Sequence, residues 1–220
     1  MYSELTEIVL LSLRVSGTAL FFATLVGVPA GILLGLKRFR GRRVAVSFVY
    51  TGMGFPPVVI GLFVYLLLSR NGPLTGLNLA LLPQLFTPGA MILAQIIIAL
   101  PLVVGFSMAA VMSVDPQVRL QVRSLGATEA QTALTVLSEA RLGVIVAIVA
   151  GFGAIISEVG AVMLVGGNIA HQTRVLTTAI VLETRKGNFD LALALGAILL
   201  ALAFIANLVM MRLQGSAIEG

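Results

Sequence analysis

Apolar residues along this chain do not alternate; they come in long blocks. Five blocks, Val15–Leu36, Val44–Leu68, Thr87–Val114, Leu142–Val165 and Leu191–Met211, each supply about the 20 apolar residues that a helix needs to cross a bilayer. The pattern predicts an all-α, polytopic membrane protein with five transmembrane helices. An odd number of crossings puts the two ends on opposite faces. Polar positions collect between the blocks, and Lys37–Arg43 packs five cations into seven residues. The positive-inside bias places that loop in the cytoplasm. Alternation then sets the N-terminus, Ser69–Phe86 and Gly166–Asp190 outside, and Asp115–Arg141 and the C-terminus inside. Nine of the 14 Lys and Arg fall on the inner side. No repeat of about 20–50 residues is present and no soluble block interrupts the pattern, so 1–220 reads as one transmembrane domain, N-out and C-in.

Composition sharpens this picture by exclusion. The 220 residues are 59% hydrophobic and 10% charged, against about 25% charged in soluble domains. Without cysteine there are no disulfides, thiolate metal sites or cysteine nucleophiles. The single histidine, His171, argues against a histidine metal cluster or a Ser-His-Asp triad. No metal site and no catalytic residue is therefore expected. The net charge of +5 sits mainly in loops, with no basic stretch interleaved with aromatics, so nucleic acid is not an expected partner. Met1-Tyr2-Ser3-Glu4 is an acidic start rather than a basic signal region, which makes the first block a retained span in a multi-pass plasma (inner) membrane protein. Neither Lys37 nor Lys186 follows a glycine in a Gly-Lys-Ser/Thr phosphate loop, so any ATP-driven step must come from another polypeptide.

The inner segment Asp115–Arg141 is longer than a plain connection. Asp115 suits an N-cap and Pro116 the first helical position, and Val118, Val122, Leu125, Ala133, Leu134 and Leu137 can share one side. Leu125-Gly126-Ala127-Thr128 reads as helix, turn, helix, with Thr128 able to cap the second helix. Two readings fit: an amphipathic pair lying on the membrane surface, or a docking element for a cytoplasmic partner. In the second, Arg119, Arg123, Leu125, Gly126, Ala127, Thr128 and Glu129 carry the coupling, with the charges at its rim.

Inside the blocks, Pro56-Pro57 with Gly52, Gly54 and Gly61 marks either a packing kink or a gate hinge. Glu158 lies ten residues before Asn168, about 15 Å below the helix end. An ionised side chain in hydrocarbon costs roughly 2.5–3.5 kcal/mol. Either Glu158 carries a proton or it points away to a donor on a neighbouring helix, and both make it a structural intramembrane acid rather than a substrate ligand. Past Gly166-Gly167-Asn168, Val175–Leu182 is apolar with threonines embedded, which predicts an outer re-entrant or interfacial helix. Asn168, Thr173, Arg174, Thr177 and Thr178 are either an ordinary capped loop or a polar external gate or partner contact, since hydroxyls, amides and a guanidinium all donate hydrogen bonds. His171 reads as a surface residue of that loop.

"RSLGATEAQTALTVLSEARLGVIVAI" (123–148) resembles the coupling loop of ABC-transporter permease subunits. Gly126 matches its glycine, whereas Leu120-Gln121-Val122 replaces Glu-Ala-Ala and Ser138-Glu139 replaces Leu-Pro. "FPPVVIGLFVYLLLSRNGPL" (55–74) and "LPLVVGFSMAAVMSVDPQVRLQVRSLGA" (100–127) resemble the molybdate/sulfate/tungstate branch of these permeases. "SEVGAVMLVGGNIAHQTRVLTTAIV" (157–181) is similar to the same branch, most closely its tungstate members. The resemblance implies a type I ABC importer permease fold and a homodimer in membrane lipid. It also implies cytoplasmic ATPase subunits that hold the ATP and Mg, this chain having no cofactor, and an extracellular or periplasmic oxyanion-binding protein.

Overall fold

A computed structural model describes residues 2–70, 72 and 82–215. Part of the segment expected outside between Ser69 and Phe86, namely 71 and 73–81, lies outside the described residues, as do Met1 and the tail 216–220. The described residues form ten helices: α1 (Tyr2–Leu36), α2 (Arg42–Met53), α3 (Pro57–Leu68), α4 (Pro88–Met112), α5 (Pro116–Ser124), α6 (Glu129–Glu139), α7 (Arg141–Ile156), α8 (Gly160–Gly166), α9 (Leu176–Arg185) and α10 (Phe189–Gly215).

Three stretches, Glu4–Leu36, Pro88–Met112 and Phe189–Val209, are long and apolar enough to cross a membrane by themselves. Two pairs reach that length only together, and both are bent: α2 with α3 by 103°, α6 with α7 by 69°. The first helix begins at Tyr2, well before the apolar block at Val15, so its polar opening is helical too.

Helix α4 is the centre of the bundle and has more buried residues than any other described helix, from Ala90 and Met91 to Val111. What lets other helices close on it is a stripe of small residues. Gly27, Gly31 and Gly35 recur every four residues on α1 and therefore share one face. A Cβ on Gly31 would stand 2.7 Å from Ser107 Cβ and from the Val104 carbonyl oxygen. On Gly27 and Gly35 it would stand 2.9 Å from Val103 and Val111. Only glycine fits there.

The same contacts give direction. Gly27 meets Val103, Gly31 meets Ser107 and Gly35 meets Val111, so α1 and α4 run parallel. Helix α2 runs the other way: Arg42 reaches Met112, and Gly52 faces Pro101. Helix α3 continues in that sense, with Ile60 and Val64 clustered on Ala90, Met91 and Ala94 near the start of α4. Despite its bend, the α2–α3 pair descends the full length of α4. Helices α7 and α8 are also antiparallel to α4, Gly143 against Ala110 and Gly166 against Met91. Early α10 packs Leu195 with Ile8 of α1.

The block Leu142–Val165 contains a break that its apolarity does not announce. Helix α7 ends at Ile156 and α8 starts at Gly160. The break is held by long-range hydrogen bonds: buried Gln95 donates Nε2 to the Ile155 carbonyl (2.9 Å), and Thr177 Oγ1 donates to the Glu158 carbonyl (2.9 Å).

Candidate functional site

Candidate site residues gather in three places. The first is the elbow between α5 and α6, beyond the C-terminal end of α4. Asp115 accepts from the Gln117 N–H (2.8 Å) and fixes the start of α5. Gly126 adopts φ 84°, a left-handed conformation costly for other residues. Thr128 then opens α6 with a reciprocal capping box, accepting from the Gln131 N–H while its own N–H donates to Gln131 Oε1. Arg123 and Glu129 pair across the turn at 2.7 Å. Arg119 does not lie at the rim as the sequence suggests. It is half-buried and donates Nη2 to the Val111 carbonyl at the end of α4 (3.0 Å), meeting one of the helix's orphan acceptors. Thr132 and Val136 face inward, while Leu120, Leu134 and above all Leu125, 87% exposed, face outward. The elbow thus has a rigid polar frame with bare leucines outside it.

The second place is the α2–α3 bend. Gly54, Phe55 and Pro56 separate the two helices, because Pro57 at the first position of α3 cannot continue the preceding turn. The bend opens a cleft of about 380 Å³ whose walls include Phe55, Pro56, Pro57, Ile98, Leu102 and Ala154. The wall is almost wholly apolar, apart from the backbone groups that the bend frees.

The third place is the region around Glu158 and the loop leading to α9, at the opposite end of α1 from the elbow. Glu158 Oε1 accepts the Ala161 N–H (2.9 Å), so its donor is in the next turn of the chain and not on a neighbouring helix. It meets one of the unpaired donors at the start of α8, where Val159 has no side-chain acceptor to offer. Thr173, fully buried, donates to the Gly166 carbonyl (2.5 Å) and accepts from the Ile169 N–H (2.9 Å). Thr178 takes the Val175 N–H (3.1 Å). Ser12, on α1, accepts the Leu176 N–H (2.8 Å) and so caps α9 from a distance. Between these groups, Ser12, Ser16, Gln95, Glu158 and Thr177 line a polar cavity with room for about one water.

Sequence reasoning passed over what closes this end. The loop turns through left-handed residues, Gly167 (φ 71°), Asn168 (φ 53°) and His171 (φ 60°). His171 Nδ1 then lies 2.8 Å from Glu7 Oε2, and Arg174 Nη1 lies 3.3 Å from Glu4 Oε1. The hydrogen bond to Glu7, and its charge, hold the His171 pKa above the ordinary 6.5. Glu183, at the end of α9, accepts from Lys186 (2.7 Å) and Asn188 (3.0 Å), and the Lys186 hydrogen bond pulls its pKa below the usual carboxylate value. Nothing in local pattern pairs Glu7 with a residue 164 positions away. The glycine spacing at 27, 31 and 35, by contrast, was there to be read.

A parallel core, a framed elbow and a broken span around an apolar cleft define a permease-type membrane subunit. Residues 27–217 match the family described as binding-protein-dependent transport system inner membrane component. The chain belongs to that family: it is the inner-membrane permease component of an ABC importer and not itself an enzyme, and such components work with separate ATPase subunits and a binding protein. Among its relatives, a Haloferax volcanii protein described as a probable anion ABC transporter permease is 47% identical over 208 residues, 92% of this chain and 88% of its own. The tungstate uptake system permease protein TupB of Peptoclostridium acidaminophilum is 38% identical over 211 residues, 96% of this chain and 90% of its own. In structure, a chain of the inward-facing MetNI methionine ABC transporter superposes with a TM-score of 0.79 at 18% identity, covering 97% of this chain and 95% of that one.

Proposed function

We propose that this chain is the permease of an oxyanion importer whose cargo is tungstate. The whole of 1–220 acts as one transmembrane domain, and two copies enclose the path. A cytoplasmic ATPase, which holds the ATP and Mg, grips the α5–α6 elbow. An external oxyanion-binding protein delivers the anion at the Glu4–Arg174 end. The observation that carries the reading is the elbow: bare Leu125 on a left-handed Gly126 turn, framed by a capping box and an ion pair, in a chain with no phosphate loop of its own. A stiff, leucine-tipped handle suits a partner's groove, where apolar contact transmits closure mechanically.

Five crossings, N-out and C-in, are supported by helix direction. Helices α1 and α4 run parallel, so the α2–α3 pair between them counts as one broken crossing. Tungstate as cargo rests on the likeness to TupB. An anion's path is also served by the apolar cleft at Pro56 and Pro57, which offers freed backbone dipoles and no fixed charge to trap the ion. Thr173, Thr177 and Thr178 hold the outer loop in shape, since their hydroxyls are engaged with backbone. The receptor contact falls to the loop of Asn168 and Arg174, where Arg174 pairs with Glu4 of α1.

The absence of cysteine provides a direct test. A single Leu125→Cys should react with a membrane-impermeant thiol reagent only from the cytoplasmic side; labelling in intact cells overturns the orientation. In vesicles holding the permease, its ATPase and receptor, Gly126→Trp should leave ATP hydrolysis running while tungstate uptake stops. Unchanged uptake overturns the coupling role. Stronger competition by molybdate or sulfate than by tungstate itself would reassign the cargo.

A further inference from the structure

Four cations of the α1–α2 connection have no place in the scheme above. Lys37, Arg38, Arg40 and Arg43 are exposed, and among the described residues none of their side chains forms an ion pair or hydrogen bond. Their neighbour shows what an engaged arginine does here: Arg42 folds back, donating Nε to the Leu34 carbonyl (2.7 Å) and Nη2 to Met112 Sδ (3.6 Å), and so ties the ends of α1 and α4. The four free cations stand where a membrane-length helix stops. Beside them lies uncovered apolar surface: Phe39 is 46% exposed within the cluster itself, and Val44 and Phe48, 59% and 75% exposed, sit one turn apart on α2, a helix that buries none of its residues.

We infer that Lys37, Arg38, Arg40 and Arg43, with Phe39, Val44 and Phe48, form a binding surface for anionic lipid headgroups. The two chemistries meet in the order of a leaflet: cations at phosphate depth, then aromatic and aliphatic side chains against acyl chain. An acidic protein surface would neutralise the cations but leave Val44 and Phe48 bare. Clusters of four or more Lys and Arg directly following a membrane span concentrate anionic lipid, each cation contributing up to roughly fivefold. The inference concerns lipid contact alone and stands whether or not the elbow couples to an ATPase.

The chain contains no tryptophan, so Phe39→Trp installs a unique fluorescent reporter inside the cluster. The purified full-length variant is placed in phosphatidylcholine vesicles containing equal small amounts of either bromine-tailed phosphatidylglycerol or bromine-tailed phosphatidylcholine. The anionic quencher is expected to act at about fivefold lower mole fraction. That preference should shrink as salt is raised, because headgroup attraction is screened, and should fall well below its parent value in R38Q/R40Q/R43Q, which keeps Lys37 alone of the four. The salt series needs no further substitution and so stands even if the triple variant inserts poorly. Equal quenching by both lipids at low salt, or a preference indifferent to salt, overturns the inference.

Discussion

The elbow at Gly126 and the loop from Gly166 to Val175 lie at opposite ends of α1, and they use polar side chains in opposite ways. At the elbow, the polar bonds that shape the turn close within a few residues: Asp115 on Gln117, Thr128 on Gln131, Arg123 on Glu129, while Arg119 reaches back to the end of α4. The turn is shaped by its own sequence, and Leu120, Leu125 and Leu134 face out, while Val136 anchors α6 to the end of α4. At the other end the bonds bridge distant parts of the chain, Ser12 to Leu176, Glu7 to His171, Gln95 to Ile155, and the hydroxyls are buried. The turn proposed above as the ATPase's handle holds its shape largely through local bonds. The loop that keeps a broken span in register is stitched into the bundle.

That contrast can be broken most sharply at Leu125. Leu125→Asp should reduce coupled uptake by about 30-fold or more, the scale of losing a hot-spot anchor worth 2 kcal/mol or more. Thermal unfolding should barely move, since an exposed substitution shifts stability by only about 0.5 kcal/mol. A large fall in unfolding temperature would show that the elbow belongs to the core after all. Thr173→Val is the converse test. It strands the buried Gly166 carbonyl and the half-buried Ile169 N–H, each worth about 1–3 kcal/mol, so the protein should lose about 2–6 kcal/mol in a detergent unfolding series. Full stability would mean that the loop is not stitched as described.

Smaller effects sharpen the same division. Arg123→Ala removes an exposed ion pair and should cost under about 1 kcal/mol, with a double cycle against Glu129→Ala vanishing at high salt. The smallest effect is one of pH. Glu7 raises the pKa of His171 in the folded chain, so the pair contributes fully below the unfolded value near 6.5 and its contribution fades as pH rises through the raised value. Stability of the parent relative to His171→Gln should therefore narrow from pH 6 upward; a difference that widens would contradict the pairing.

Sequence and structure agree where the determinants are local. The three apolar blocks that form unbroken helices, in α1, α4 and α10, the Asp115 and Thr128 caps and the Gly126 turn are all written in adjacent residues. The break at 157–159 is not, because it contains no proline and is enforced by Gln95 and Thr177 from other helices. Glu158 shows the limit in a single residue: its place within an apolar block was legible, but its donor was not, since the Ala161 N–H becomes available only once α8 starts anew. Arg119 looked like rim charge because its spacing matched, and only the nearby end of α4 explains why it turns inward.

The glycine seam has a mechanical corollary. Backbones locked together at Gly27, Gly31 and Gly35 cannot slide past one another, so α1 and α4 form a single beam about 50 Å long. The elbow hangs from one tip of that beam, and Glu4 and Glu7 are carried on the other. On the coupling role proposed above, a tilt imposed at the elbow would be carried along that beam toward the Glu7–His171 and Glu4–Arg174 clasp, as the far arm of a see-saw.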